Sequence, residues 1–286
     1  METEKRAAVP LVAAVHDLSG FGRCSLTVAI PILSAMGMQV CPFPTAILSN
    51  HTGYPQYFWE DLADRMPAYM QGWEKLGLSF QAIYTGFLGG VEQVDTLLDF
   101  FDRFPAPIRL VDPVMADDGQ LYATCCDELC TSMKRLVARG TVTTPNLTEA
   151  CLLTGRDYHT LKSRSGEAYW REMEAIAHEV AALGPQQVVI TGISDGKGQL
   201  YNLVTDHNTG ETFRIAVSAV EKSFAGTGDV FASVLCGCLV RGIPLRTAVE
   251  KTAAYVRKVT AFTYAQGMPY LDGIAFEPFL SELAAL

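Results

Sequence analysis

Short, wholly apolar runs alternate with longer amphipathic stretches along almost the whole chain. The runs at Val9–Val15, Val40–Leu48, Ala82–Gly86, Ile108–Val111, Thr141–Thr143 and Val188–Thr191 read as strands. Between them, segments near Ser25–Met36, Asp61–Lys75, Glu92–Phe104, Asp127–Arg139 and Glu167–Leu183 carry apolar residues at helical spacing. Apolar strands separated by amphipathic helices predict a parallel sheet covered on both faces. After Thr191 the pattern changes. Gly198–Thr205 and Thr212–Val217 read as two strands joined around Asn208-Thr209-Gly210, and helices follow at about Asp229–Arg241 and Leu245–Ala265. No linker, low-complexity segment or repeat interrupts this order, so residues 1–286 read as one domain. The fold class is α/β, doubly wound, with a mostly parallel central sheet and helices on both faces. Ligands of such sheets sit outside the carboxyl ends of the strands. The residues to read for chemistry are therefore His16-Asp17, Ser49-Asn50-His51-Thr52, Asp112, Thr144-Pro145-Asn146 and Thr191.

Charge narrows the partners. A net charge of −9 argues against a nucleic-acid backbone, but a few local amides can still hold a nucleotide's phosphates. No run reaches the ~18 apolar residues of a membrane span. Lys5 and Arg6 followed by Ala7–Val15 faintly suggest a signal peptide. Pro10, the polar His16-Asp17 and the lack of a small-x-small cleavage site favour a buried first strand instead. The eight cysteines form no CxxC and no Cys/His quartet, so the reading is reduced cytoplasmic thiols, several of them acting as small apolar residues.

The stretch that points to chemistry is Ala225-Gly226-Thr227-Gly228-Asp229, which leads into an apolar-faced helix. Amides of Gly226, Thr227 and Gly228 at a helix N-terminus make an anion hole suited to a phosphoryl group in transfer. Asp229 stands at its mouth, placed to take a proton from an attacking hydroxyl. The plainer reading is a glycine turn with an acidic first-turn residue. No P-loop pattern occurs, and Gly20-Phe21-Gly22 lacks the third glycine and the ribose-binding acid of a dinucleotide fold. From Asp17 to Glu60 there is no acidic residue between, and Arg23 is the only permanent charge; that stretch ends in Ser49-Asn50-His51-Thr52-Gly53-Tyr54. These polar groups would suit a ring with nitrogen and hydroxyl substituents, or form a hydrogen-bonded turn.

Four motifs together, Gly226–Asp229, Ser49–Tyr54, Asp112-Pro113-Val114 and Thr144–Gly155, resemble the vitamin B6 kinases of the ribokinase-like superfamily. They fall in that family's order from about Val9 to Ala265. The start at His16–Gly22 is closer to the hydroxymethylpyrimidine kinases, which often carry Cys where this chain has Asp229. The resemblance implies an ATP-dependent kinase of the 5′-hydroxymethyl group of pyridoxal, pyridoxamine or pyridoxine. A hydroxymethylpyrimidine kinase of thiamine synthesis, or a non-catalytic vitamer or nucleotide sensor, is the alternative. It also implies roles. Asp229 is the base, with Gly226, Thr227 and Gly228 as the anion hole. Asp17 or Ser19 meets a ring heteroatom, His51 and Thr52 touch the ring, and Phe87 lies against its face. Asp112, Asp117, Thr144, Asn146, Glu149 and Thr191 belong to the ATP side. Asp112 and Glu149 serve Mg²⁺ through water, Asp117–Gln120 forms a flap, K⁺ is a further candidate cofactor, and the assembly is a cytoplasmic homodimer. Asn146 and Glu149 also fit a simple helix cap.

Overall fold

The computed structural model describes residues 9–286. Lys5, Arg6 and Ala7-Ala8 therefore lie outside the described residues. In chain order the elements are β1 (Leu11–Ser19), α1 (Ser25–Ala35), β2 (Gln39–Leu48), β3 (Trp59–Asp61), α2 (Met66–Lys75), β4 (Ala82–Thr85), α3 (Val91–Arg103) and β5 (Ile108–Val111). A small hairpin follows, β6 (Ala116–Asp117) and β7 (Gln120–Leu121), then α4 (Asp127–Val137), β8 (Val142–Thr143), α5 (Leu147–Thr154), α6 (Tyr158–Lys162) and α7 (Gly166–Ala182). The chain ends with β9 (Gln187–Ser194), β10 (Gln199–Asp206), β11 (Glu211–Ser218), α8 (Thr227–Val240), α9 (Leu245–Ala265) and α10 (Leu280–Leu283).

Nine strands form one sheet in the order β11-β10-β9-β8-β5-β4-β1-β2-β3. Strands β9, β8, β5, β4, β1 and β2 run parallel, and antiparallel β3, β10 and β11 complete the two edges. The strand-to-strand alternation of side chains splits the core in two. Ala13 and Val15 of β1 face α2 to α7, while Val12 and Ala14 face α1, α8 and α9. Both faces are covered, which is why the central strands are apolar throughout rather than alternating.

Three local readings change. The first strand begins at Leu11 and runs on to Ser19, which carries Asp17 and Ser19 into the sheet; its register slips between His16 and Leu18. The helix expected from Asp61 starts only at Met66, because Trp59–Asp61 pairs with Ala46–Leu48 as an edge strand and Pro67 suits a helix's first turn. The polar segment Asp117–Gln120 is a tight hairpin turned at Asp118 (φ 47°) and Gly119 (φ 78°), the paired positive angles that a two-residue hairpin turn requires.

Candidate active site

The residues at the start of α8 are shared between two cavities, each of about 190 Å³. Gly226 and Asp229 line the first, Thr227 and Gly228 the second. Gly226 has φ 72°, and a Cβ there would stand 1.8 Å from the Arg23 carbonyl oxygen, so the backbone crossing admits only glycine. Thr227 Oγ1 donates to the Phe224 carbonyl at 2.7 Å and pins the turn. The first N–H groups of an α-helix have no partner within it, so this turn aims donors at the boundary of the two cavities.

Asp229 reaches the first cavity from that turn. Burial, then the charges of Asp112 and Asp17, push its pKa up to about 8, against the Ser25 backbone N–H, which works to lower it. Beneath it, the Tyr84 hydroxyl donates to the Asp229 carbonyl at 3.4 Å. Ser25 sits at φ 51°, a left-handed angle that costs a side-chain-bearing residue about 1–2 kcal/mol.

The sequence-predicted ring contacts Asp17, Ser19, His51, Thr52 and Phe87 all line this first cavity. The Ser19 hydroxyl donates to Asp17 Oδ2 at 2.7 Å, and burial raises the Asp17 pKa. His51 is tied down: its Nε2 meets the Leu271 carbonyl at 2.7 Å and its Nδ1 accepts from Gly53 N–H at 3.1 Å. The Tyr54 hydroxyl donates to Asp272 Oδ1 at 2.8 Å, so this loop and the Tyr270–Asp272 segment form one rim. Phe87 packs edge-on against Trp59. Its carbonyl accepts from the Thr45 hydroxyl, and fully buried Gln93 secures the loop by accepting from Gly89 N–H and donating to the Thr45 carbonyl and Asp61, each at 2.9 Å.

The second cavity is lined by Thr191 and by an apolar slot that sequence reading missed. Leu200, Val217, Val220, Phe231, Ala253 and Val256 form its walls, with Asn202, Lys222 and Arg257 at polar positions. No motif marks these residues; they converge only because β10, β11 and α9 close over one another. Cys24, Tyr122, Tyr270 and Leu271 of the first cavity were equally unmarked.

The remaining predicted residues line neither cavity. Asp112 and Glu149 are buried carboxyls that disfavour each other's charge. Burial lifts Asp112 to about 7, and Glu149 is raised well above the ordinary range by burial and by Asp112. Thr144 Oγ1 donates to Asp112 Oδ1 at 3.1 Å. Asn146 and Glu149 form a full capping box at the start of α5; Glu149 also accepts from Met115 N–H, and Asn146 Nδ2 donates to the Ala116 carbonyl at the base of the hairpin. Asp117 is exposed on β6. His16 is buried with both ring nitrogens unpartnered, its pKa lowered to about 3 by burial, and it does not line the cavity.

A covered α/β sheet with two cavities flanking one helix N-terminus defines a ribokinase-like small-molecule kinase. The family described as phosphomethylpyrimidine kinase matches residues 74–270. The pyridoxal kinase of Arabidopsis thaliana is 34% identical over 217 residues, spanning 72% of this chain and 66% of that protein. The pyridoxine/pyridoxal/pyridoxamine kinase of Bordetella avium is 30% identical, over 88% of this chain and 85% of that one. A Bacteroides thetaiotaomicron protein, provisionally named a phosphomethylpyrimidine kinase and crystallised with pyridoxal, is 37% identical with a TM-score of 0.89 over 96% of each chain. Pyridoxal kinase from Lactobacillus plantarum is 28% identical with a TM-score of 0.87, covering 97% of this chain and 98% of its own. The chain belongs to the vitamin B6 kinases of the ribokinase-like fold.

Proposed function

We propose that this chain transfers the γ-phosphate of ATP to the 5′-hydroxymethyl group of pyridoxal, pyridoxamine or pyridoxine. The observation that carries the reading is the sharing of Gly226–Asp229 between two cavities: a ring compound on the Asp229 side and a nucleotide on the Gly228 side meet at one set of amide donors. Asp229 takes the hydroxyl proton, the amides hold the phosphoryl oxygens in flight, and Asp17, Ser19, Thr52 and Phe87 seat the ring. The apolar slot takes the base of ATP, with Thr191 beside the phosphates. Asp112 and Glu149 fit a water-held Mg²⁺, since a divalent cation relieves the repulsion of two buried carboxyls; Mg²⁺ would neutralise charge on the phosphates. In that arrangement Glu149 keeps its cap, so the two readings of the Asn146–Glu149 motif are compatible.

The test is turnover. With Mg-ATP, at least one B6 vitamer is expected to be phosphorylated with a kcat/KM well above that of hydroxymethylpyrimidine. The reverse order would make the chain a thiamine-pathway kinase, and tight vitamer binding without turnover would make it a sensor. Repeating the assay with and without K⁺ decides that requirement.

The same assay has a distinctive pH dependence. A base acts only when ionised, so kcat/KM is expected to fall as pH drops through about 8, the pKa of Asp229. An acid limb near 4, as for an ordinary carboxylate, would remove Asp229 as the titrating group.

Homodimer formation and a cytoplasmic location belong to the same proposal. All eight cysteines are free, and among the described residues no helix is long and apolar enough to cross a membrane. Leu18 and Ile47, register partners on β1 and β2, are exposed together with Phe21 and Phe58. Light scattering after size exclusion is expected to give twice the chain mass, and the double change Ile47→Glu, Phe58→Glu is expected to reduce it to one; a wild-type monomer would refute the dimer.

A further inference from the structure

The two cavities differ in the ionisable residues that line them. Asp17 and Asp229 line the first, with neither Lys nor Arg; Lys222 and Arg257 line the second, with neither Asp nor Glu. Both cations of the second cavity are uncommitted. Helix α9 carries four basic residues, of which Arg246 pairs with Glu211, Lys258 pairs with Glu282 and Lys251 donates to the Leu286 carbonyl. Arg257, the fourth, has no carboxylate partner among the described residues. Lys222 has none either, and the neighbouring Glu221 accepts from the Tyr264 hydroxyl instead. Lys222 is exposed in the segment that joins β11 to α8, its ammonium 5.6 Å from the centre of the Phe224 ring. The carbonyl of that same Phe224 holds Thr227, so Lys222 stands beside the turn that presents the amides.

We infer that Lys222 is a further catalytic residue, whose ammonium binds the phosphate chain of ATP, and that Arg257 steers the nucleotide into this cavity. The inference rests on the reading of the second cavity as the nucleotide site. Mg-ATP is still an anion, and the amides of the turn offer only the partial charge of a helix end. In the transfer the hydroxyl oxygen forms a bond to the γ-phosphorus and the hydroxyl proton passes to Asp229. The bond from γ-phosphorus to the bridging oxygen breaks, and ADP leaves with the electron pair and added negative charge. A full cation on that side stabilises the departing ADP more than the bound ATP, so Lys222 acts on kcat as well as on KM. Lysine suits this task. Its charge is compact and its stem flexible, and an exposed contact with an aromatic face is weak enough to be exchanged for a phosphate. A ring alcohol without a phosphate gains nothing from the two cations, so the pair also sorts the substrates between the cavities.

The experiment compares ADP with adenosine, the same base without phosphates, by calorimetry on wild type, Lys222→Met and Lys222→Arg. Lys222→Met is expected to bind ADP about 10–100-fold more weakly while adenosine binds as in wild type. Lys222→Arg keeps the charge and is expected to restore most of the ADP affinity. In steady-state assays Lys222→Met is expected to lower kcat/KM for ATP by about 10²-fold, with part of that loss in kcat and the KM for vitamer unchanged. Added salt is expected to depress the wild-type kcat/KM for ATP, and the double change Lys222→Met, Arg257→Gln is expected to flatten that dependence. A lysine that only supports its loop would weaken ADP and adenosine alike, without rescue by Arg, and that result would overturn the inference. Unchanged ADP affinity in Lys222→Met would also overturn it and leave the second cavity standing as the nucleotide site. Wild type that bound ADP but turned over no vitamer would overturn the proposed function, and the ADP comparison would still decide the Lys222 contact. Wild type that bound no nucleotide would overturn both.

Discussion

Asp229→Asn is expected to lower kcat by about 10²–10⁴-fold while leaving KM for both substrates nearly unchanged. The amide has almost the carboxylate's volume and keeps the first turn of α8 intact. What it loses is basicity, and the hydroxymethyl proton is far too weakly acidic to leave unaided at neutral pH. The same substitution carries a stability signature of the opposite sign. Because the Asp229 pKa is raised to about 8 from 3.8, the folded chain holds that proton more tightly than the unfolded chain. Folding stability at this site is therefore full below pH 4 and declines as pH rises towards 8. Asn has no proton to lose, so the ligand-free variant is expected to melt higher than wild type at pH 8 and at the same temperature near pH 4. Asp112, raised to about 7 by burial, adds a decline in the same direction, one that the variant retains. Near-normal kcat would remove Asp229 as the base. A lower melting temperature at pH 8 would show that the carboxylate supports the fold as a cap.

Much of the fold is legible in the sequence because its strands are short, wholly apolar and separated by amphipathic helices, and only a two-faced sheet buries such strands. Boundaries fail where tertiary pairing overrules local pattern. Trp59–Asp61 has helix-compatible neighbours, yet it pairs with Ala46–Leu48, and only the sheet reveals that. At the site, the legible residues are those whose chemistry is local: a glycine-rich turn with its acid, and polar groups at strand ends. The apolar slot of the second cavity has no local signature, since Leu200, Val217 and Val256 read as ordinary core residues until three elements converge. Gln93 is invisible for the same reason. Nothing in Val91–Arg103 announces that one glutamine of that helix will hold the backbone behind Phe87. His51 shows a subtler gap: the motif suggests a ring contact, and the residue does line the cavity, but both its nitrogens are engaged by the rim.

Two glycines two residues apart should fail in different ways when replaced by alanine. At Gly226 the φ of 72° is strained for alanine by about 1–2 kcal/mol, and the Cβ would lie 1.8 Å from a backbone oxygen that cannot swing aside. Gly226→Ala is expected to cost about 2–5 kcal/mol of stability and to displace the turn, with activity falling alongside. At Gly228 the φ is not in the left-handed region, and beyond its chain neighbours and the helix's own backbone a Cβ would meet no heavy atom within 4 Å. The helix should gain from alanine there, by up to about 1 kcal/mol in an interior position and less in this first turn. The open space around Gly228 belongs to the second cavity, where a phosphate must approach the amides closely. Gly228→Ala is therefore expected to keep or raise the melting temperature while kcat/KM for ATP drops by about 10²-fold or more, and vitamer affinity measured without nucleotide stays at the wild-type value. Thermal melts, ATP titration and vitamer titration on both variants separate the cases. A stable Gly226→Ala would contradict the crossing geometry. A fully active Gly228→Ala would mean that the phosphate does not pass over this turn, and the anion hole would have to be sought elsewhere along the second cavity.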